Sequence, residues 1–448
     1  MDDYSLLVDP VVTSADGWWR VWALDRVRPL SYLTFWLNYQ IGGESPLGYH
    51  AVNWALHLAS VWLCSLTLSR LLPANAVFFA TAVFALHPVQ TESVAYVFAR
   101  STLLCGLFSL AALALWTRGR HWLAVAMCGL ALLAKEEAVA LPVVIALLHW
   151  SISRNHREWR PIAAMFALAA LVGARGLFVA TTQAGTGAVA SAGIGPLDYF
   201  ATQSYVLVRY ALEIAAPVAL TFDPDIPVMN NWRGWALWLA WIAVAAWASR
   251  RFSKARAGFW VLAGLAFLAP TSTILPINDL SADRRLYLVL VAVGAALAPL
   301  VPVRLGYAVA ALLAFAAFTR TQTWATEEAL WRDTVAKSPE KVRPRVQLAR
   351  AVAPGEALAV LGDLADPLAE AERGRVLMEL RRPAEALTSF GRVLAARPGD
   401  AGALTNRGVA LAALGQAEAA RADFERALAV DRCYAPALRN LGRPLCGR

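Results

Sequence analysis

Between Gly48 and Phe318 the chain carries about ten apolar runs, on the scale of the roughly 20 helical residues needed to cross a hydrocarbon core. They are Gly48–Ser69, Ala74–Val89, Ser93–Trp116, His121–Ala134, Ala138–Ser151, Pro161–Ala180, Trp235–Ser249, Gly258–Ile274, Leu286–Leu300 and Val303–Phe318. Backbone in lipid must close its own hydrogen bonds, so runs of this length predict an all-α polytopic bundle. Composition agrees, with 58% hydrophobic residues, 16% charged residues and a mean hydropathy of +0.48, far from soluble or disordered chains. Five cysteines in 448 residues exclude a disulfide scaffold.

The net charge of +9 reads as topology and not as a nucleic-acid footprint, because the basic residues sit in short clusters between apolar runs. Arg70, Arg118, Arg120, Arg154, Arg157, Arg160, Arg250, Arg251, Lys254, Arg256 and Arg304 fall in alternate loops, which are placed inside. The loops on the other side are 1–46, the Gln90-Thr91-Glu92 turn, Lys135 to Glu137, Thr181 to Trp232 and Pro276 to Arg285. Counting Tyr199 to Leu220 as a span breaks the alternation. With Arg209 and Glu213 at i and i+4, it suits an amphipathic helix on the outer membrane surface, or else a membrane-embedded hairpin.

After Phe318 the composition turns to Ala, Arg, Glu and Leu at helical spacing. Gly374, Gly408 and Gly442 recur at 34 residues, as do Ala386 and Ala420, Phe390 and Phe424, and Asn406 and Asn440. That period resembles the tetratricopeptide repeat. Small residues are expected where the two helices of a hairpin approach, with the phenyl rings filling the gap to the next unit. "TWATEEALWRDTVAKSP" reads as the second helix of a further unit, followed by a shortened one over Val342 to Leu364. The expected domains are an outer loop with an acidic pair (1–46), a transmembrane domain (47–319) and an outer repeat domain (320–448). In that outer domain a Cys433–Cys446 disulfide is chemically possible.

Polar residues that interrupt the apolar runs gather on the outer side: Asp2, Asp3, Arg28, His87, Glu92, Arg100, Lys135, Glu136, Asp279, Asp283, Arg284 and Arg285. Charges at the bilayer are costly, so their shared location points to one polar cavity. The signature glycine loop of nucleotide-binding proteins and the G-x-S-x-G nucleophile elbow are both missing. No His/Cys spacing demands a metal, and no cofactor is expected.

The stretch "HPVQTESVAYVFARSTLL", preceded by "RPLSYLTFWLNYQIGGESPLGYHAVNWALH" and followed by "LLAKEEAVALP", resembles the transmembrane and tetratricopeptide-repeat-containing protein O-mannosyltransferases, of the type C glycosyltransferase superfamily. "MDDYSLLVDPVV" is similar to that family's first outer loop, "SADRRLYL" to its Ala-Glu-Arg-x-Leu-Tyr motif, and "RTQTWATEEALWRDTVAKSP" to its entry into the repeats. The resemblance implies transfer of a sugar, mannose in the family, from a polyprenyl-phosphate carrier to a protein, peptide or glycan acceptor on the outer side. The high Ala, Arg and Trp content points to a bacterial source of high-GC DNA, which would make that side the periplasm of an inner membrane. Such chemistry needs a carboxylate to take the acceptor's proton and cations to hold the lipid phosphate. Asp2 or Asp3 is the expected base. Arg100, Lys135, Arg284 and Arg285 are the expected phosphate clamp, with Arg28, His87, Glu136, Asp283 and Tyr287 completing the site. Glu92, four residues before Tyr96 and eight before Arg100, is expected to share a helical face with both. A divalent cation is the one cofactor that the superfamily resemblance adds. The sequence departs from the family at Gln90, Thr102 and Asp283, where a second histidine, an acidic residue and glutamate are usual. The family also has a membrane helix before the acidic pair, so a preceding helix is expected upstream of Met1. Without it, an inactive chain or a non-catalytic membrane-anchored scaffold, whose repeats bind partner proteins, is the alternative.

Overall fold

The computed structural model describes residues 3–23, 26–152, 159–182, 193–252, 256–277 and 279–446, and these form helices and turns without a strand. They divide into two compact units: Met1–Phe222 with Ile226–Trp324, and Asp223–Asp225 with Ala325–Arg448.

The first unit opens with three short helices, α1 (Asp3–Val8), α2 (Pro10–Thr13) and α3 (Gly17–Arg20), and a longer α4 (Pro29–Gly42). Asp9 caps α2, its carboxylate accepting from the Val11 N–H at 2.9 Å. The apolar runs then become α5 (Pro46–Leu68), α6 (Ala74–Leu86), α8 (Arg100–Trp116), α9 (His121–Ala134), α10 (Leu141–Ile152), α11 (Trp159–Thr182), α13 (Trp232–Phe252), α14 (Arg256–Leu268), α15 (Val289–Leu297) and α16 (Val303–Thr323). Two helices without a transmembrane run of their own, α7 (Gln90–Ala95) and α12 (Pro196–Ala215), complete the unit. Among the described residues four stretches, Pro46–Leu68, Val97–Trp116, Trp159–Val179 and Val303–Thr323, are long and apolar enough to cross a membrane. Ala74–Leu86, His121–Ala134, Gly258–Thr271 and Val289–Leu300 are shorter apolar helices.

The centre of the bundle is α8, whose Leu103, Leu104, Leu110, Leu113 and Trp116 are buried in one continuous core with α5, α6, α9, α10, α14 and α15. One residue on α8 must be glycine: a Cβ on Gly106 would sit inside the Tyr287 ring. The α12 segment stays at one end of the unit. Its Tyr199 hydroxyl donates to Thr271 O at 3.1 Å, Gln203 donates to Leu280 O at 3.1 Å, and the carbonyl of Ile214 accepts from His87 Nε2 at 3.0 Å. Tyr199, Gln203, Val206, Leu207 and Tyr210 on it are buried. It therefore packs across that end of the bundle as a covered element, and not as a bare amphipathic surface helix.

The second unit is a helical array: α17 (Glu327–Lys337), α18 (Val342–Ala351), α19 (Pro354–Leu361), α20 (Pro367–Glu379), α21 (Pro383–Ala396), α22 (Ala401–Ala413), α23 (Ala417–Val430) and α24 (Ala435–Asn440). The repeat spacing has a simple cause. A Cβ on Gly374 would lie 2.5 Å from Phe390 Cε1, and one on Gly408 would lie 2.6 Å from Phe424 Cε1. Each phenyl ring thus packs first on the glycine of its own hairpin, and Phe390 also shares a cluster with Ala410 of the next one. The array ends in a Cys433–Cys446 disulfide that closes the chain around α24.

Candidate functional site

One end of the first unit gathers the charged residues, and it does so through breaks in helices. At Tyr96 the chain turns extended (φ −77°, ψ 112°) between α7 and a single 3₁₀ turn, Val97–Ala99. That break rotates Glu92 away from Arg100, so the two do not share a face. Glu92, buried, instead pairs with Arg284, its Oε1 2.5 Å from the guanidinium. Its other oxygen accepts from the Asp283 backbone N–H at 3.0 Å. Arg284 reaches on to Asp279 at 2.8 Å and lies over the Tyr96 ring at 5.9 Å. Both arginines of the motif come from a 3₁₀ turn, Asp283–Leu286, that interrupts the approach to α15.

A second break, Lys135 in extended conformation followed by the 3₁₀ turn Glu136–Ala140, splays the three charges after α9 in different directions. Glu136 is held in a two-pronged fork by Arg28, with Nε to Oε2 at 2.8 Å and the second prong closing the pair. The partial burial of Glu136, whose side chain is half exposed, would raise its carboxyl, but the Arg28 guanidinium overrides it and holds the group at about 2. Lys135 turns inward, to Thr102 Oγ1 at 2.9 Å and Glu137 at 2.8 Å. Burial lowers its pKa, with Glu137 opposing. A cavity of about 20 Å³ brings the two groups together, lined by Thr102, Glu137, Arg284, Arg285 and Tyr287 among others.

Arg285 is built differently from its neighbour. It is buried, and its guanidinium donates to two backbone carbonyls, Leu280 O at 3.1 Å and Asp279 O at 2.6 Å. Among the described residues no carboxylate lies within ion-pairing distance of it. Asp283 is the opposite case, a buried acid whose Oδ1 has no hydrogen-bond partner among the described residues. Burial pushes its carboxyl well above the usual range, and Glu213 and Glu92 push the same way against Arg209 and Arg320. It therefore keeps its proton to higher pH than an ordinary aspartate.

The remaining expected residues are braces as built. Arg100 is fully buried; its donors go to Asn53 Oδ1 at 2.9 Å, Thr34 O at 3.2 Å and Tyr49 O at 3.0 Å. Its plane lies 4.5 Å over Phe35. Asn53 satisfies Arg100, and Thr102 serves Lys135 instead. His87 donates from Nε2 to Ile214 O while its Nδ1 accepts from the Val89 N–H at 3.3 Å, which fixes the tautomer. The Tyr287 hydroxyl bonds His57 Nδ1 at 3.0 Å, inside the core. Asp2 and the side chain of Asp3 lie outside the described residues. Asn53, Glu137, Arg209 and Glu213 are participants that the motifs alone do not single out, although Arg209 and Glu213 were visible as an i, i+4 pair. Among the described residues no group of three or more His, Cys, Asp and Glu side chains is placed to hold a metal ion.

Next to the charged cluster lies an apolar cavity of about 330 Å³ beneath α12, walled by α13, α14 and α15 from Leu207, Tyr210 and Ile214 down to Ala296 and Leu297. Tyr210 joins the two regions. Its ring faces the cavity and its hydroxyl bonds both the N–H and the carbonyl of Ala282, at 3.0 and 3.2 Å, one residue before the turn that carries the arginines.

The chain is similar to protein O-mannosyl-transferases. It is 39% identical over 128 residues to protein O-mannosyl-transferase Tmtc1 of Drosophila melanogaster, covering 27% of this chain and 15% of that protein. It is 33% identical over 167 residues to protein O-mannosyl-transferase F38B6.6 of Caenorhabditis elegans, covering 33% of this chain and 24% of the relative. With human protein O-mannosyl-transferase TMTC2 the identity is 37% over 134 residues, 27% of this chain and 16% of that one. The chain thus spans less than a quarter of the length of these relatives in each match. No family model matches it.

Proposed function

We propose that the first unit is a membrane glycosyltransferase that moves a sugar, mannose by its similarity to the named relatives, from a polyprenyl-phosphate carrier to a protein or glycan acceptor on the periplasmic side of a bacterial inner membrane. One observation carries the reading: Arg285 is a buried guanidinium with no carboxylate partner among the described residues, beside an apolar cavity of about 330 Å³ joined to it through Tyr210. A buried cation calls for a counter-ion, and an anion attached to a long apolar tail would satisfy both features at once. A polyprenyl phosphate has that chemistry.

In the reaction, the acceptor hydroxyl oxygen bonds the anomeric carbon, the bond from that carbon to the phosphate oxygen breaks, and the carrier leaves as polyprenyl phosphate. Asp2 or Asp3 takes the hydroxyl proton. Arg285 and Arg284 at the small cavity, with Lys135 behind its lining residues Thr102 and Glu137, hold the charge that grows on the leaving phosphate. Glu92 and Asp279 hold Arg284 in place, and Arg28 and Glu136 fix the turn that presents Lys135. The repeats hold the acceptor.

The test is release of polyprenyl phosphate from polyprenyl-phosphate mannose, and from the glucose analogue, by detergent-purified protein. Loss of turnover in Asp2→Asn or Asp3→Asn establishes the transferase and names its base. Arg285→Ala is expected to lower turnover on the order of 100-fold or more, the scale of removing one preorganised charge-stabilising donor. Protein inert with every donor, whose repeats still capture periplasmic proteins, supports the scaffold instead.

A further inference from the structure

The segment before the first long helix is drawn by the sequence as a loop in water, and its exposed surface does not suit water. From Pro29 to Gly43 there is no charged residue. On α4 the inward side is fixed: Ser31 donates to Ala134 O at 2.9 Å and Phe35 is buried beneath Arg100. The outward row, Leu33, Leu37 and Ile41, repeats every four residues, and Leu37 and Ile41 are 51% and 79% exposed. An outward helical face in water normally carries charge. At 14 residues, α4 is also too short to cross a bilayer.

Three tryptophans stand beside it. Trp18, Trp19 and Trp22, on α3 and the turn after it, are all exposed, whereas Trp36 is tied inward by its Nε1–H to Ser14 O at 2.9 Å. Arg20 stands among them and Arg28 follows. Tryptophans with neighbouring arginines are the residues that gather at the membrane–water boundary. After a turn at Gly43, the exposed row passes into Leu47, Trp54, Leu58 and Trp62 of α5, on a helix long and apolar enough to cross the membrane. The inward row of α5 is Tyr49, Asn53, His57 and Ser60, all buried. The outer face of α4 is thus continuous with a face that meets lipid.

We propose that α3 and α4 form a monotopic platform seated in the leaflet at the charged end of the bundle, with Trp18, Trp19 and Trp22 at the headgroup boundary and Leu33, Leu37 and Ile41 among the upper acyl chains. The platform sets the depth of Arg28, the residue immediately before α4, and through its fork the depth of Glu136. It rests on the membrane bundle alone and stands or falls independently of the transfer reaction.

The full chain in lipid nanodiscs tests this. The three free cysteines are buried and the other two are bonded to each other, so an added cysteine is the accessible thiol. Leu37→Cys and Ile41→Cys carry an environment-sensitive nitrobenzoxadiazole label, with Trp54→Cys as the lipid reference, Glu418→Cys as the aqueous reference and unsubstituted protein as the blank. The expected result is a blue-shifted emission quenched by nitroxide lipids and protected from iodide, with a ratio close to that of Trp54→Cys and several-fold above Glu418→Cys. Quenching by iodide without lipid quenching overturns the proposal. Protection from both quenchers also overturns it, and assigns the face to a protein partner, or to a second copy if the particle mass doubles. Replacing Trp18, Trp19 and Trp22 together by serine should shift the Leu37→Cys label toward iodide without altering thermal unfolding in detergent; an unchanged ratio removes the tryptophans from the anchor.

Discussion

Both units bury charged side chains, but they do so in opposite ways. In the bundle, local pairs such as Lys135 with Glu137 are joined by pairs between residues remote in sequence: Glu92 with Arg284, 192 positions apart, and Arg28 with Glu136, 108 apart. In the repeats the same chemistry is local. Glu372 is held by Arg350 and Arg375, 22 and 3 positions away, and Asp423 by Arg407 and Arg426, 16 and 3 away. The acids Glu92, Glu372 and Asp423 are all nearly sealed; the difference lies in their partners, since Arg350, Arg375 and Arg426 keep much of their side chains in water while Arg284 is mostly covered. Pairs with a wet partner stabilise little and tolerate change. Sealed pairs between distant segments are costly to assemble and costly to break. The repeat pairs tie neighbouring helices together; the bundle pairs hold a set of charged groups in place.

The largest expected effect breaks this contrast if it fails. Glu92→Ala leaves Arg284 without its buried partner and the Asp283 N–H without its acceptor, which should cost about 3–5 kcal/mol, read as a fall in the melting temperature of the detergent-purified protein. The matched change in the repeats, Asp423→Ala, frees two arginines that can turn to solvent and should cost under about 1 kcal/mol. Equal losses would mean that the two networks are of one kind.

Removing the disulfide sharpens the comparison from the other side. Cys433→Ser opens a link across 13 residues, worth about 3 kcal/mol by loop closure. In a repeat array that loss stays near the terminus. Faster amide exchange is expected in α24 and α23, with the bundle unchanged. Next in size is Gly374→Ala. The added methyl presses on Phe390 and should cost about 1–3 kcal/mol of overpacking, relieved in part by Phe390→Leu. A rescue of the same kind is not expected for Gly106→Ala in the bundle, because shortening Tyr287 also strips His57 of its hydroxyl partner.

How much of this was legible in the sequence follows from the range of the forces involved. Each apolar run became a helix, since hydrophobic length needs no distant partner, and the 34-residue period found its hairpins for the same reason. The alternation of basic loops put the polar residues at one end of the runs, and of these Glu92, Asp279 and Arg284 meet directly. Who pairs with whom was not readable. Glu92 was expected beside Arg100 on helical spacing, and the chain breaks its helix at Tyr96 between them. Thr102 stands where the resemblance puts an acid two residues after Arg100, and the acceptor for Arg100 comes instead from Asn53 on a different helix. Pairing across more than 100 positions depends on how helices pack, which no local pattern records. The outward face of α4 was likewise invisible, because which side of an uncharged helix is covered is decided only when Ser31 and Phe35 find their places.

The smallest effects concern pH, and their opposite signs separate the two sides of the cluster. The Glu136 carboxyl sits at about 2 in the folded chain, below its unfolded value of 4.5. Its pairing with Arg28 therefore stabilises above pH 4.5 and is lost as pH falls from there toward 2. Because the carboxylate is half exposed, solvent screening limits this to under about 1 kcal/mol. Asp283 runs the other way. Its folded pKa is raised well above 3.8 by burial, Glu213 and Glu92, so the buried acid is tolerated while protonated and stability falls as pH climbs from 3.8 through the raised value. Glu136→Gln should flatten only the acid limb of a melting-temperature profile, and Asp283→Asn only the limb above it, because asparagine cannot ionise in the buried corner. An Asp283→Asn protein that melts markedly lower at pH 7 would show that the residue is charged there. The Asp283 corner would then be a buried anion like Glu92, and not a proton-holding group.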